Sequence, residues 1–336
     1  MFLSGRADMP RIYEHMNVKT GMTPVKEERM PFGWSINPYR GCAHGCSFCF
    51  ARGFQHFMNL GADDEFQNHI LLKTNAPEAL EAQLAKLAVR HRYDLGEMRR
   101  RLGQVMIGTV TDPYQPVEGR MKLTRRCLEV LARYGVGASV TTRSPLILRD
   151  LDLLRRMDGV SVNISMNTLD AKLTRRLEPE APLPAKRLET LKALSEAGIR
   201  TSVFIAPILP LLTDGPEDLE ELFAAAAERG AGSFMTSVLR LSPEVKRGYF
   251  RSLAEHYPDR LNGYRELYAG GAYASDEYRE KLRRLTDELS RKYTPSAPLY
   301  KPAEAEEAPS GIRPGSPAPG EACGEPAYPP EQLSFF

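Results

Sequence analysis

Three cysteines stand at positions 42, 46 and 49 within NPYRGCAHGCSFCFAR, residues 37–52, a C-x3-C-x2-C spacing. Three thiolates this close on one loop suit a single polynuclear iron–sulfur cluster. A cubane cluster has about four irons, so three cysteines leave one iron without a protein ligand. An open metal position is what a catalytic site keeps and a structural site closes. Gly41 and Gly45 allow the tight turns that aim all three sulfurs inward. A zinc site is the competing reading, with His44 as the fourth ligand. It is disfavoured because zinc ligands come as two separated pairs, and Cys127 and Cys323 each stand without a ligand beside them. A disulfide reading leaves one of the clustered cysteines unpaired, and no export signal precedes them.

The loop needs a scaffold, and the flanking sequence describes one. Residues 34–39 read as a strand whose C-terminal end feeds the cysteine loop, and residues 54–59 as a short helix after it. Strand patterns follow at 70–73, 105–110, 136–142, 160–166, 199–206 and 233–239. Helical patterns alternate with them at 76–92, where Asn75 is a candidate N-cap, and at 123–134, 146–157, 183–197 and 217–229. Alternating strands and helices imply a parallel sheet with right-handed crossovers. Six or seven units, fewer than the eight of a closed barrel, imply an incomplete (β/α)6-type TIM barrel with its active site at the C-terminal strand ends. Four segments are expected: an irregular N-terminal extension over 1–33, the barrel over 34–240, a helical extension over 241–293 interrupted near Gly270-Gly271, and a disordered Pro-rich tail over 294–336.

Further reactive groups fall at the predicted strand ends. Thr109-Val110-Thr111-Asp112 closes one strand with hydroxyls and a carboxylate. Thr142-Arg143 closes the next with a guanidinium, and Ser165-Met166-Asn167 closes another with a hydroxyl and an amide. This set suits a zwitterionic, ribose-bearing ligand: Arg143 for its carboxylate, Asp112 for its amino group, Ser165 and Asn167 for hydroxyls.

The cysteine spacing, with an aromatic just before the last cysteine, resembles the radical S-adenosylmethionine (radical SAM) superfamily. Together with GTVTDPYQPVE, VTTRSPL and VNISMNT, it resembles the branch related to spore photoproduct lyase over about residues 30–290. The resemblance implies a 4Fe–4S cluster on Cys42, Cys46 and Cys49, and SAM as second cofactor. Thr111, Arg143 and Ser165 match positions that hold the methionine moiety, and Phe48 matches an aromatic near the adenine. It also implies reductive cleavage of SAM to a 5′-deoxyadenosyl radical that abstracts hydrogen from a substrate, with an electron donor such as flavodoxin or ferredoxin. One position departs from the lyases. Thr109 stands where they carry a hydrogen-donating cysteine, and a hydroxyl O–H is too strong a bond to replace a thiol. Cys127 lies on the apolar face of the 123–134 helix and is expected in the core.

A net charge of +2 does not by itself announce a nucleic-acid binder, and no apolar run approaches a membrane span. With no export signal, reduced cysteines point to the cytoplasm. Two features bear on the substrate. The terminus Gln332-Leu333-Ser334-Phe335-Phe336 resembles the peptide by which repair proteins dock on the bacterial sliding clamp. Arg90-His91-Arg92 with Arg99-Arg100-Arg101 offers cations to phosphates, although such runs are more often solvated helix faces. The expectation is a radical SAM enzyme acting on DNA or another nucleic acid. An iron–sulfur sensor recruited to DNA, and a radical SAM enzyme with a protein or small-molecule substrate, are the alternatives.

Overall fold

The computed structural model describes residues 10–26, 30–58, 60–62 and 64–295; the expected tail, with Cys323 and the terminal Gln332, Leu333, Phe335 and Phe336, lies outside the described residues. Among the described residues ten strands form two sheets. They are β1 (Ile12–Met16), β2 (Thr23–Pro24), β3 (Trp34–Ile36), β4 (Tyr39–Arg40), β5 (His69–Lys73), β6 (Val105–Ile107), β7 (Ala138–Thr142), β8 (Ser161–Ser165), β9 (Arg200–Ile208) and β10 (Ser233–Val238). The larger sheet runs β10-β9-β8-β7-β6-β3-β2. Its first six strands are parallel, and β2 closes one edge antiparallel to β3. The smaller sheet is β1-β5-β4. Six parallel strands separated by helices are the incomplete barrel expected from the alternation.

Strand side chains alternate between faces, and the two faces differ in chemistry. Ile36, Val105, Ile107, Val140, Val162, Ile164, Val203 and Ile205 are all buried against helical Leu80, Leu84, Leu128, Leu131, Leu191, Leu194, Leu222 and Phe223 in one core. Those apolar residues come from α2 (Ala76–Arg90), α5 (Leu123–Arg133), α8 (Pro184–Glu196) and α9 (Pro216–Ala227). The remaining helices of the barrel region are short: α1 (Asp64–Asn68), α3 (Leu95–Leu102), α4 (Glu118–Met121), α6 (Leu151–Leu154) and α7 (Ala171–Leu177). The other face carries Ser35, Met106, Ser139, Thr141, Asn163 and Ser165. Asn163 Nδ2 donates to Ser139 Oγ at 2.9 Å and to Thr141 Oγ1 at 3.1 Å. The barrel interior is therefore polar and neutral along these strands.

Several boundaries depart from expectation, each for a local reason. The 34–39 strand breaks at Asn37-Pro38, where proline lacks a donor and the Asn37 side chain binds Thr109 Oγ1 and Val110 N instead. The 105–110 strand stops at Ile107. Gly108 turns there with φ +91, and a Cβ would lie 2.6 Å from both Pro113 Cδ and Thr141 O. The 146–157 helix is a 3-10 segment, Pro145–Asp150, followed by α6. Asn75 does not cap α2 with its side chain, which binds the backbone N and O of Val18. Nor is the N-terminal extension irregular throughout: β1 pairs with β5, β2 pairs with β3, and Met22 is fully buried. Tertiary pairing organises a segment whose prolines suggested none.

The C-terminal extension is helical as expected, with α10 (Pro243–His256), α11 (Leu261–Leu267) and α12 (Asp276–Tyr293), interrupted around Gly271 at φ +142. Buried Tyr249, Tyr264 and Tyr268 from α10 and the α11 end form one apolar cluster with Cys46, Phe48 and Leu177. Tyr249 and Tyr264 join hydroxyls at 2.9 Å. The extension thus backs the cysteine loop directly. Among the described residues no helix is long and apolar enough to cross a membrane.

Candidate active site

The cysteine loop leaves the C-terminal side of β3 and β4 and returns through a 3-10 helix, Phe50–Met58. Cys42 and Cys46 are buried, Cys49 is half-buried, and all three thiols are free. Gly41 and Gly45 turn the chain at φ +78 and +68. At Gly41 a Cβ would lie 2.8 Å from both His69 O and Phe66 O, so only glycine fits. The loop is gripped from several sides. Arg52, 7% exposed, donates to Cys46 O at 2.8 Å, Gly45 O at 2.9 Å and Ala62 O at 3.0 Å. Fully buried Gln115 accepts from Ala43 N at 3.0 Å and donates to Gly41 O at 3.3 Å. Ser47 N donates to Leu177 O at 2.8 Å and Glu180 N to His44 O at 3.2 Å, which ties the loop to the end of α7.

The thiols share one electrostatic neighbourhood. Burial pushes Cys46 well above the ordinary thiol range, Arg143 draws it back, and Cys49 and Cys42 add to the rise. Burial likewise raises Cys49, with Cys42 adding to it. For Cys42 burial is outweighed by His44, and the thiol falls below its ordinary value. Three neighbouring soft donors that penalise one another's charge suit a cationic iron–sulfur core. The zinc reading needs the His44 ring as its fourth ligand. His44 instead lies 3.3 Å from Asp112 Oδ2, an electrostatic contact without hydrogen-bond alignment.

The expected ligand-binding residues gather at the same end of the sheet. Asp112 is 6% exposed and its carboxylate is heavily engaged. Oδ1 accepts from Thr142 Oγ1 at 2.6 Å and Tyr114 N at 2.9 Å, and Oδ2 accepts from Arg143 N at 2.8 Å. Burial alone would raise its pKa, but His44, Thr142 and the Arg143 amide together hold it at about 2. Thr111 donates its hydroxyl to Gly41 O at 2.7 Å, so it braces the cysteine loop. Phe48, 2% exposed, packs in the apolar cluster shared with Tyr249 and Leu177. Ser165 is 3% exposed, and its carbonyl accepts from Arg187 Nη1 at 3.1 Å. Asn167 is 4% exposed, and its Nδ2 has no partner. A buried amide donor left unpaired costs about 1–3 kcal/mol, which a ligand acceptor would relieve. Arg143 is held through Nε by Glu178 Oε2 at 3.2 Å.

Three groups escaped the sequence reading. Gln115 sits inside GTVTDPYQPVE, where its position beside the strand-end carboxylate was the only signal. Glu178 and Arg187 belong to no motif, and nothing local marks them. The remaining expectations separate cleanly. Thr109 accepts from Asn37 Nδ2 at 2.8 Å. Cys127 is fully buried in the core, and burial raises its thiol. Arg90 ends α2, His91 and Arg92 lie in the turn after it, and Arg99, Arg100 and Arg101 lie on α3, which leads to the N-terminus of β6; Glu97 pairs with Arg100 and Arg101.

Comparison with known proteins agrees with this geometry. The radical SAM superfamily model matches residues 36–226. A protein of Mycobacterium tuberculosis is 34% identical over 267 residues, covering 79% of this chain and 75% of that protein. A radical SAM Nα-GlyT isomerase of Pseudomonas phage M6 is 23% identical over 260 residues, covering 76% of this chain and 50% of the isomerase. Spore photoproduct lyase complexed with dinucleoside spore photoproduct superposes with a TM-score of 0.63 at 16% identity, covering 84% of this chain and 80% of the lyase. A form of that lyase with bound AdoMet superposes at 0.62 and 17% identity, covering the same shares of the two chains. With three thiols on the family's loop and the family's barrel beneath them, the chain belongs to the radical SAM superfamily, whose cofactors are a 4Fe–4S cluster and SAM.

Proposed function

We propose that the chain is an enzyme that cleaves SAM reductively and directs the resulting radical at DNA or another nucleic acid. The observation that carries this is the placement of the three-cysteine loop beside Arg143 and the unpartnered Asn167 amide, at the mouth of a neutral, hydroxyl-lined barrel face. The bound cluster and SAM supply a 5′-deoxyadenosyl radical; the chain's own groups bind, orient and shield.

Cys42, Cys46 and Cys49 hold the cluster and leave one iron open. Arg143 takes the SAM carboxylate. Asn167 and Ser165 receive hydroxyl groups from their strand end. Asp112, already accepting three hydrogen bonds, acts in this reading by aligning the Arg143 backbone and anchoring the cysteine loop through His44. Its contact with the SAM amino group is the weakest of the expected set, because protein donors already fill most of its acceptor positions. Thr111 serves the loop, and Phe48 backs it.

The nucleic-acid substrate is supported by one named neighbour, the spore photoproduct lyase complexed with dinucleoside spore photoproduct. Thr109 cannot return a hydrogen atom as a thiol does, so the reading is of base chemistry other than lyase-type dimer reversal. Electrons enter from a flavodoxin- or ferredoxin-type donor, and residues 332–336 dock the enzyme on a sliding clamp. Pull-down of the clamp by the full chain and by a chain ending at residue 331 checks that partner.

The central test is anaerobic. Cluster-loaded protein with dithionite and SAM is expected to release 5′-deoxyadenosine, with yields that change when damaged or undamaged DNA is added. Persistent absence of deoxyadenosine from protein carrying roughly four irons per chain would favour the sensor alternative. Production that no DNA alters would point to a protein or small-molecule substrate.

A further inference from the structure

Glu178 and Arg187 are almost wholly buried, each with a side chain 1% exposed. A guanidinium and a carboxylate in that state need a reason, since exchanging such a pair for apolar side chains often costs no stability. Their contacts supply one. Arg187, in the first turns of α8, donates Nε to Pro182 O at 2.7 Å, Nη1 to Ser165 O at 3.1 Å, and Nη2 to Glu178 Oε2. The same Glu178 oxygen accepts from Arg143 Nε at 3.2 Å. Two guanidiniums therefore share one carboxylate. Among the described residues Arg143 makes no side-chain hydrogen bond besides that one, so both of its Nη groups are left for a ligand. Its charge acts on the Cys46 and Cys49 thiols, so it lies in the same electrostatic neighbourhood as the cysteines that would hold the cluster.

We infer that Glu178 and Arg187 are positioning residues for the SAM carboxylate subsite: Glu178 fixes the Arg143 fork, and Arg187 neutralises Glu178 so that the charge of Arg143 stays available to the ligand. The inference rests on the reading of Arg143 given above. It also explains why the assembly sits where it does. Glu178 follows α7 directly, and its neighbours Leu177 and Glu180 hydrogen-bond to Ser47 and His44 of the cysteine loop. One short segment thus sets the cluster ligands and the carboxylate receptor relative to each other. Ser165, whose carbonyl Arg187 holds, is tied into the same joint.

Charge logic gives a test that a purely structural role fails. In Arg187→Met the buried Glu178 keeps Arg143 as its one hydrogen-bonded cation, and the two form a neutral pair that competes with the ligand. SAM affinity of the cluster-loaded protein, measured by isothermal titration at matched iron content, is expected to fall about tenfold. In the double variant Arg187→Met/Glu178→Gln the competitor is gone, and affinity is expected to return to within about threefold of wild type. Arg143→Gln serves as the control and is expected to weaken SAM at least as much as Arg187→Met.

Unchanged SAM affinity in Arg187→Met overturns the inference, even if its melting temperature drops or its cluster potential shifts. Loss without recovery in the double variant overturns it as well. Wild-type affinity in Arg143→Gln overturns the reading of Arg143 together with the inference built on it. A loss in Arg143→Gln with none in Arg187→Met leaves that reading standing and removes only the positioning role. Should Arg187→Met fail to fold, Arg187→Lys keeps Glu178 neutralised: a loss below about threefold supports the inference, and a tenfold loss overturns it.

Discussion

Replacing Gln115 by Leu should loosen the cluster while leaving the barrel intact. Gln115 is fully buried and makes three hydrogen bonds: from Ala43 N at 3.0 Å, to Gly41 O at 3.3 Å and to Thr111 Oγ1 at 3.1 Å. Leu has nearly the same volume, so no large cavity opens. Gly41 O keeps Thr111 as a donor at 2.7 Å, and that bond is not lost. What is lost outright is the partner of a buried Ala43 N–H, two residues from Gly45 and one from Cys42. An orphaned buried donor costs about 1–3 kcal/mol, and the weaker Gly41 contact adds about 0.5–1 kcal/mol. The sum, about 1.5–4 kcal/mol, falls on the loop conformation that holds the cluster. Expressed fully in cluster affinity, it is a factor of roughly 10–700 at about 1.4 kcal/mol per tenfold. The assay is anaerobic reconstitution followed by titration with an iron chelator, with loss of the charge-transfer absorbance as readout. Gln115→Glu, which can still accept from Ala43 N but cannot donate to Gly41 O, should fall between Leu and wild type. Chelator resistance equal to wild type in Gln115→Leu would refute the claim that this side chain fixes the loop.

Three further outcomes are expected. Gly41→Ala should abolish iron loading, because φ +78 costs a non-glycine residue about 1–2 kcal/mol and the new methyl would meet two carbonyl oxygens at 2.8 Å; iron analysis after reconstitution checks it. Cys127→Ala should lower stability by about 1 kcal/mol and leave deoxyadenosine yield unchanged, since the thiol is a fully buried core group; a lost yield with intact iron would reassign it to the chemistry. Lys73 should make stability depend on pH. Burial, with Arg40 adding to it, lowers its pKa from 10.5 to about 8, so between those values the unfolded chain binds more protons than the folded one. Stability attributable to Lys73 therefore rises as pH increases from about 8 towards 10.5, and Lys73→Met should flatten that rise in urea midpoints measured across the range. A wild-type midpoint with no Lys73-dependent rise would show that its charge is solvated in the fold.

Legibility followed range. The cysteine loop, its glycines and the strand ends were readable because each is written within a few neighbouring residues. Asn37 shows where local reading failed: it lies inside an expected strand, but its side chain reaches 72 residues along the chain to Thr109 and ends the strand there. Asn75 looked like a helix cap from its neighbours alone, and a partner 57 residues earlier took its amide. Short β1 and β2 carry little pattern of their own, and pairing with β5 and β3 makes them strands.

The sequence by itself determined the clustering of three cysteines on one loop, the alternating strands and helices, and the end of the sheet that carries that loop. Those follow from spacing and period, which are local properties. Only the tertiary structure decided that Asp112 and Thr111 are already engaged with protein partners, that Gln115 locks the loop from 74 residues away, and that Glu178 and Arg187 stand behind Arg143. Whether a buried polar group is open to a ligand depends on which distant donors and acceptors the fold has already brought to it.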